Sequence, residues 1–352
     1  MEKYALITGS YGLVGSESSI FFDKKKFKII GIDNDMRKYF FGKSINSKNI
    51  KKKLNNECKS YKHYNYDIRS YKNLEKIFKK FKKKIKIIIH AAAQPSHDWA
   101  KKEPNTDFSI NANGTLNLLM LFKKHCPDAK FIFLSTNKVY GDNPNKFKFD
   151  ETKNRYEMKK SNRYYNGFDE SLKLDNCIHS LFGVSKLSAD MMVQEYGKNF
   201  GLKTVCFRAG CISGPNHLGA ELHGFLSFLV KSAIINKSYK IFGYKGKQVR
   251  DNIHSKDLVN CFWEYYKKPK CGEVYNIGGG RKSNISILEG IKYIEKKLKF
   301  SIKKKYFKIN RTGDHKWYIS SNNKFRKDYK KWNIRYTAYD LIDEIIQNKN
   351  FF

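Results

Sequence analysis

The sequence predicts an α/β fold in which a doubly wound parallel sheet is joined to a smaller, mostly C-terminal domain. Short apolar runs rich in Ile, Val and Phe recur through the first two thirds of the 352-residue chain, as is typical of parallel strands buried on both faces. Segments with helical spacing of apolar residues lie between these runs. That alternation indicates strands joined by helical crossovers.

The elements follow in order along the chain. Strands are predicted at residues 4–9, 27–33, 85–93, 130–136 and 202–210. Helices between them are predicted at residues 71–81, 110–125 and 183–200, and the Lys-rich residues 47–54 are expected on an exposed helix or loop. Beyond Gly214 the pattern loosens, with helices expected at residues 223–234 and 255–266. We therefore expect one domain over residues 1–213 and a second over residues 214–352, with some segments of the second returning to the sheet.

Composition and charge exclude several classes of function. The net charge is +37 at pH 7, but the Lys residues are spread through nearly every segment, without basic blocks that contain stacking aromatics. We therefore expect a solvated basic surface and no nucleic-acid partner. No apolar run has membrane-spanning length, so no membrane partner is expected. The seven Cys lack CxxC or zinc spacing, which predicts no metal site and, without an export signal, a cytoplasmic protein.

A glycine-rich segment follows the first strand and has the spacing of a dinucleotide-binding turn. In "TGSYGLVGSE", Gly9 permits the tight turn, Gly12 lets a pyrophosphate approach the backbone, and Gly15 allows the helix to pack closely on the strand. The first residues of that helix, Leu13 and Val14, are expected to take part, because a helix N-terminus offers N–H donors to phosphate.

An acidic residue ends the second predicted strand. Asp33 lies where a carboxylate accepts hydrogen bonds from an adenosine ribose and repels a 2′-phosphate, which favours NAD over NADP. Arg37 and Lys38 nearby leave the choice of cofactor open. Asn34 and Ile68 are further candidates for this end of the cofactor, as is Asp67, which is predicted to end the next strand. Loop capping is an equal alternative for Asp67.

Several motifs occur in the order and spacing of a known superfamily. "SINANGTLNLL", "FLSTNKVYGD", "VCFRAGCISGP" and "RDNIHSKDL" resemble segments of the extended short-chain dehydrogenases, over nearly the whole chain. Within that superfamily, "STNKVYGD", "ETKNRYE", "GFDESLKLD" and "GKQVRD" resemble the CDP-paratose 2-epimerases. The resemblance implies NAD bound by residues 1–213, a nucleotide sugar bound mostly by residues 214–352, and a homodimer. In the dimer the helices that carry Asn111 and Lys186 would pack against their copies. The apolar residues that could supply this face, or equally belong to the core, are Leu116, Leu119, Met120, Met191, Met192 and Val193.

The resemblance also implies roles for individual residues. Ala91, Ala92 and Ala93 would line the nicotinamide side of the cleft, and Asn111 would order the active-site helix. Thr136 and Asn137 would bind the sugar, and Lys186 would hold the nicotinamide ribose. Arg250 and Arg311 would clamp the diphosphate, because Arg offers a charged fork to phosphate. The structural alternatives are a salt bridge from Arg250 to Asp251 or Asp257, and a solvated helix face for Lys186.

The chemistry implied is transient oxidation, in which NAD⁺ takes a hydride from a sugar carbon and returns it to the other face of the ketone. A base must accept the hydroxyl proton. Alternatives are a nucleotide-sugar 4-epimerase or a dehydratase, and a protein that binds both ligands without turnover. A dehydratase usually has an Asp-Glu pair after the Thr, whereas here Asn137 and Lys138 follow Thr136.

One position departs from the family pattern. In "HSLFGVSK", Phe182 occupies the place of the Tyr that serves as the base, four residues before Lys186, and its ring has no ionisable group. We expect a relocated base, with His97 as the first candidate because imidazole titrates near neutral pH. Asp98 and His179 are the substitutes, and helix capping or sugar contact is the alternative role. His217 and His223 are expected to shape the ligand pocket.

Overall fold

The structure, a computed structural model, describes residues 2–42, 47–215, 217, 219, 224–311 and 313–348. The chain forms two compact units, each built from three segments. Unit 1 comprises Met1–Thr136, Val184–Arg208 and Val259–Tyr275, and unit 2 comprises Asn137–Gly183, Ala209–Leu258 and Asn276–Phe352. The chain therefore passes between the two units several times, and a single division at residue 213 does not describe them. Which unit binds cofactor and which binds sugar stays a prediction.

The strands, in chain order, are β1 (Tyr4–Thr8), β2 (Lys28–Ile32), β3 (Tyr61–Tyr64), β4 (Ile85–His90), β5 (Lys130–Thr136), β6 (Phe149–Glu151), β7 (Tyr156–Met158), β8 (Thr204–Ala209), β9 (Cys211–Ser213), β10 (Tyr239–Phe242), β11 (Val249–His254), β12 (Glu273–Ile277), β13 (Asn284–Ser286), β14 (Lys304–Phe307) and β15 (Trp317–Tyr318). The helices are α1 (Leu13–Lys24), α2 (Arg37–Phe41), α3 (Lys48–Glu57), α4 (Tyr71–Phe81), α5 (His97–Lys102), α6 (Pro104–Phe108), α7 (Gly114–His125), α8 (Leu181–Phe200), α9 (Phe225–Ile234), α10 (Ser255–Lys267), α11 (Ile287–Leu298), α12 (Asn323–Asp328) and α13 (Ala338–Gln347).

The central sheet confirms the predicted fold class. It has seven strands in the order β12-β8-β5-β4-β1-β2-β3, and β1 pairs in parallel with both β2 and β4. Strand order therefore reverses at β1, where β2 lies on one side and β4 on the other. In parallel sheets such a switch point opens a crevice at the carboxyl ends of the strands, where ligands bind.

Two local features differ from the sequence prediction, and a third decides between two predicted forms. Strand β3 ends at Tyr64, so Asp67 lies in the following loop and does not end the strand. The helix predicted from residue 110 begins as α7 at Gly114, after a π-helical turn over Ser109–Asn113. Such a turn is frequent at functional sites. The Lys-rich segment forms helix α3, which buries Ile50 and Leu54 and leaves most of its lysines outside the core.

Unit 2 is organised around β11. A four-stranded sheet has the order β13-β11-β15, with β9 also paired to β11. Helices α9, α11 and α13 supply most of an apolar cluster that includes Leu226, Ile291 and Leu341.

Within the described residues, no helix is both long enough and apolar enough to cross a membrane.

A buried ion pair joins α8 to β8 within unit 1. The Arg208 guanidinium donates to both carboxylate oxygens of Asp190, at 3.1 Å from Nε and 2.8 Å from Nη2. Ser135 and Gln194 also donate to that carboxylate, at 2.5 and 2.7 Å. The Asp190 side chain is 0% exposed and that of Arg208 4%, so each charge depends on these partners.

We predict that Asp190→Ala destabilises the fold, because it leaves the Arg208 guanidinium buried without its carboxylate. Loss of one partner of a buried pair costs about 3–5 kcal/mol of unfolding free energy. Urea unfolding monitored by circular dichroism measures the loss. The control is Lys267→Ala, which breaks the exposed Lys267–Glu264 pair and should cost about 1 kcal/mol or less. Equal losses in the two variants would contradict the prediction.

Candidate active site

The glycine turn between β1 and α1 lies directly against the loop that follows β4. Gly9 has φ of +67°, and a Cβ there would stand 2.7 Å from the backbone nitrogen of Ala92. A Cβ on Gly15 would stand 2.0 Å from the Gly9 carbonyl oxygen. Gly12 is the N-cap of α1 and, within the described chain, no side chain caps that helix end. A turn this close, followed by an uncapped helix N-terminus, fits a dinucleotide pyrophosphate.

The carboxylate of Asp33 is held beside this turn by two backbone N–H groups. Tyr11 N donates to Oδ2 at 2.9 Å and Asp35 N donates to Oδ1 at 2.8 Å. Burial raises the pKa of Asp33, and these two hydrogen bonds oppose the rise. The carboxylate is thus fixed at the end of β2, where a cofactor ribose would be expected.

Basic side chains surround Asp33, as the sequence had indicated. Lys38 and Lys51 both pair with Asp35, at 2.8 and 3.5 Å. Burial lowers the pKa of Arg37 to about 10, and the Asp33 and Asp35 carboxylates oppose that shift. Asp35 therefore offsets part of the positive charge that could otherwise attract a 2′-phosphate.

The Asp67 carboxylate is hydrogen-bonded to Arg69 in its own loop and to Asn34 after β2. It accepts from Arg69 Nη2 at 2.7 Å and from Asn34 Nδ2 at 3.0 Å, and Arg69 N donates to its other oxygen at 2.8 Å. The loop-capping alternative describes these contacts. Ile68 is 6% exposed and belongs to the apolar core of unit 1, so cofactor contact by Asp67 or Ile68 stays a prediction.

A directional chain of hydrogen bonds runs through the buried His90 at the end of β4. Thr115 Oγ1 donates to the Asn111 carbonyl at 2.6 Å, so the same oxygen can only accept from His90 Nε2, at 2.9 Å. His90 Nδ1 then accepts from Thr8 Oγ1 at 2.7 Å, and Thr8 Oγ1 accepts from Ala92 N at 3.2 Å. Burial, with Lys186 nearby, holds the pKa of His90 well below its usual value, which keeps the imidazole neutral.

Asn111, in the π-helical turn, connects the β4 loop to α8. Its amide nitrogen lies 3.1 Å from the Gln94 carbonyl oxygen, 3.0 Å from Asp107 Oδ1 and 3.0 Å from Ser185 Oγ. Its amide oxygen accepts from Gln94 N at 3.0 Å. Because Ser185 precedes Lys186, these contacts fix the part of α8 that carries the lysine.

Lys186 is buried in unit 1. Its Nζ donates to the Leu134 carbonyl at 2.8 Å and lies 4.0 Å from the centroid of the Phe133 ring. Burial lowers the pKa of Lys186 to about 8. The alternative of a solvated helix face for Lys186 is therefore wrong. Its ammonium group lies against β5 at Leu134, which is two residues before the half-buried Thr136.

The three candidate bases lie in two parts of the chain. His97 is the first residue of α5, half-buried, and Asp98 beside it is exposed. His179 lies before α8, where its Nε2 donates to the Val139 carbonyl at 2.8 Å, leaving only Nδ1 to accept a proton. Phe182 is 7% exposed. A catalytic role for each candidate stays a prediction.

Both predicted phosphate ligands, Arg250 and Arg311, lie in unit 2. Arg250 Nη2 donates to Asp314 Oδ1 at 2.8 Å, so its ion pair is with Asp314 and not with Asp251 or Asp257 as the alternative had it. Asp251 instead accepts from Ser320 N at 2.8 Å, and Asp257 from Arg335 N at 2.9 Å. The Arg311 guanidinium lies 5.8 Å from the centroid of the Phe242 ring.

Sequence reasoning missed four buried or partly buried polar residues, namely His90, Asp107, Lys138 and His315. His90, Lys138 and His315 act through partners far away in sequence, and spacing alone gives no signal for such contacts. Asp107 accepts from Asn111 and Gln94, which are nearer in the chain. Only Lys138 lay inside a quoted motif, "STNKVYGD", where its position after Thr136 could have suggested a ligand contact. His217 is 4% exposed, and His223 lies outside the described residues.

Comparison with known proteins identifies the family. The profile described as "NAD dependent epimerase/dehydratase family" matches residues 5–278. The chain is 32% identical over 297 residues to CDP-paratose 2-epimerase of Salmonella typhi, covering 82% of this chain and 83% of that protein. It is 27% identical over 310 residues to UDP-glucuronate 4-epimerase of Thermodesulfobacterium geofontis, covering 88% and 84%.

Solved structures agree on the fold. A Tyr-to-Phe mutant of UDP-glucuronic acid 4-epimerase from Bacillus cereus, in complex with UDP-4-deoxy-4-fluoro-glucuronic acid and NAD, superposes with a TM-score of 0.79 at 24% identity, covering 99% of both chains. dTDP-glucose 4,6-dehydratase of Bacillus anthracis, in complex with NAD, gives 0.76 at 23% identity, covering 99% of this chain and 96% of that one. With the profile match over most of its length, this chain belongs to the NAD-dependent epimerase/dehydratase family.

Proposed function

We propose that this protein is an NAD-dependent nucleotide-sugar epimerase that inverts C2 of a CDP-linked deoxyhexose. The observation that carries the redox part is Lys186, a buried lysine held against β5 by the Leu134 carbonyl, on the helix that Asn111 ties to the switch-point loop. The similarity to CDP-paratose 2-epimerase over most of both chains supports the choice of sugar and position.

The cofactor would be held by the glycine turn and the strand ends around it. In the proposal, Gly9, Gly12, Leu13, Val14 and Gly15 cradle the pyrophosphate. The adenosine end meets Asp33, Asn34, Asp67 and Ile68, and the nicotinamide end meets Ala91, Ala92, Ala93, Asn111 and Lys186. When bound, NAD supplies a hydride acceptor that later returns the hydride.

The protein's own residues position the sugar, and one of them accepts and returns the hydroxyl proton. Lys186 would bind ribose hydroxyls, because a buried ammonium group needs oxygen partners. Thr136 and Asn137, at the carboxyl end of β5, would hold the sugar hydroxyl that loses its proton. Asn111 and neutral His90 would keep α8 and the β4 loop in register throughout the cycle.

The proton acceptor has to lie elsewhere than residue 182. His97 begins α5 just beyond the β4 loop that also carries Ala91–Ala93, which supports it over exposed Asp98. His179 already donates to the Val139 carbonyl, so it is the weaker substitute. In the proposal His97 accepts the hydroxyl proton during oxidation and returns it during reduction.

A second function is favoured by the same departure from the family. Because Phe182 cannot ionise, the protein would bind NAD and a nucleotide sugar without turnover if no other base acts. A dehydratase has less support, since the residues after Thr136 are Asn137 and Lys138 and not an acidic pair. A nucleotide-sugar 4-epimerase is the remaining enzyme alternative, and the similarity to CDP-paratose 2-epimerase favours C2 over it.

The proposal includes a homodimer in the cytoplasm. Of the residues expected at the interface, Leu119 and Val193 are buried in the core, whereas Met120 and Met191 are 44% and 39% exposed. Leu181, Val184 and Phe200 extend the exposed apolar surface of α8. All seven cysteines are free thiols, which suits a reducing compartment.

We expect tighter binding of NAD⁺ than of NADP⁺, because Asp33 would accept from ribose and repel a 2′-phosphate. Asp33→Ala should weaken NAD⁺ binding roughly tenfold to a hundredfold by removing charge-assisted hydrogen bonds. Isothermal titration of both cofactors tests this, with exposed Asp128→Ala as the control. Tighter binding of NADP⁺ to the wild type would overturn the assignment.

For the base, we expect His97→Ala to lower turnover of CDP-paratose by roughly 10²–10⁴ while NAD affinity is retained. Phe182→Leu is the matched control, which should act through packing and substrate fit. Near-normal activity of His97→Ala would eliminate His97. If the wild type is inactive with nucleotide sugars while Phe182→Tyr gains activity, the protein is better described as a binder.

For the dimer, Met120→Glu combined with Met191→Glu should give a monomer, because each charge would be buried in the interface at a cost that has no compensating partner. Light scattering at micromolar concentration measures the mass. Ile235→Glu, at an exposed site in unit 2, is the control. A monomeric wild type would contradict the proposal.

A further inference from the structure

Lys138 lies in the short turn Asn137–Tyr140 that follows Thr136. Its Nζ donates to the Gly313 carbonyl at 2.8 Å, one residue before Asp314. The side chain is partly buried. Burial lowers the pKa of Lys138 to about 8, and the Asp314 carboxylate opposes that shift.

Lys138 belongs to a charged cluster that we call the cationic cluster. It consists of Lys138, Arg250, Arg311 and Asp314. Burial alone would raise the pKa of Asp314, but Arg250 and Lys138, with Arg311, hold it at about 2. Asp314 is therefore ionised and offsets one of the three cations, with Arg250 at 2.8 Å. Below the pKa of Lys138, the cationic cluster retains about two positive charges.

The buried His315 provides an independent observation beside the cationic cluster. Its Nε2 donates to the Gly141 carbonyl at 2.8 Å, so Nδ1 is an acceptor. His315 is 0% exposed, and within the part of the chain that the structure describes its Nδ1 has no hydrogen-bond partner. Buried polar atoms are rarely left without a partner, so a donor from outside the described chain, such as a ligand hydroxyl or a water, fits this position.

We propose that Lys138 is a third phosphate ligand, which acts with Arg250 and Arg311 on the diphosphate of the substrate. The inference rests on the proposed function, because it takes the ligand to be a nucleoside diphosphate sugar. A diphosphate diester carries two negative charges, which match the two excess positive charges of the cationic cluster. Lysine binds phosphate as a point charge, whereas arginine binds it as a fork.

A pH dependence follows from this role. The groups that face Lys138 are Asp314, Arg250, Cys211, Arg311 and His315. Burial raises the pKa of Cys211 to about 11 and holds that of His315 well below its usual value, so neither changes charge between pH 7 and 9. A bound anion favours protonated Lys138, so affinity is full below the pKa of about 8 and falls as pH rises above it.

The test is isothermal titration of CDP, CMP and NAD⁺ into the full-length protein at several pH values from 7 to 9. Lys138→Met should weaken CDP binding roughly tenfold to a hundredfold at pH 7, with a smaller effect on CMP and none on NAD⁺. The wild type should lose up to about tenfold in CDP affinity by pH 9, and Lys138→Met should show no such loss. Lys138→Arg should restore affinity without the alkaline loss, because Arg does not titrate in this range.

Exposed Lys303→Met is the matched control and should bind CDP as the wild type does, and unchanged NAD⁺ binding shows that each variant is folded. If Lys138→Met binds CDP as tightly as the wild type with the same pH slope, the inference fails alone. If turnover is lost while CDP binding is unchanged, Lys138 acts on the sugar and the inference is overturned. If the wild type binds NAD⁺ but neither CDP nor CMP, the proposed function fails and takes this inference with it.

Discussion

The contact on which the site in unit 1 depends is the close approach of the glycine turn to the β4 loop. A side chain on Gly9 would meet the Ala92 backbone at 2.7 Å, so the two carboxyl ends at the switch point can lie together only with glycine there. Ala92 N then reaches Thr8 Oγ1, which begins the chain through His90 and Thr115 to Asn111. From Asn111 the contacts pass to Ser185, and so to the position of Lys186. One steric condition thus affects both the pyrophosphate and the nicotinamide parts of the proposed cofactor site.

The direction of that hydrogen-bond chain gives neutral His90 a defined structural role. Each hydroxyl in it both accepts and donates, and the imidazole does the same, so no member can rotate without breaking two contacts. Buried polar networks that are fully satisfied rigidify the core around them. In the proposed mechanism this rigidity holds the β4 loop and α8 in place while the proton goes to a group other than residue 182.

The sequence was sufficient for the fold, because the apolar runs and the glycine spacing are local signals. Helix α4 has the predicted bounds, and Gly9, Gly15 and Asp33 lie together as expected. The remaining site could not be predicted, since it depends on contacts over long separations: Lys138 meets Gly313, 175 residues away, and His90 needs Thr8 and Thr115 from different elements. The predicted ion-pair partner of Arg250 was wrong for the same reason. The observed partner, Asp314, lies 64 residues away in sequence, whereas the adjacent Asp251 accepts from Ser320 N.

The central claim is that the chain performs transient oxidation at a sugar carbon although its helix has Phe182 in place of Tyr. The direct measurement is incubation of the NAD-loaded protein in ordinary water with CDP-paratose deuterated at C2, followed by mass spectrometry and NMR of the product. The account predicts the C2 epimer with deuterium retained at C2, because the same hydride leaves and returns. An epimer that has lost its deuterium to water, or recovery of unchanged CDP-paratose alone, would contradict it.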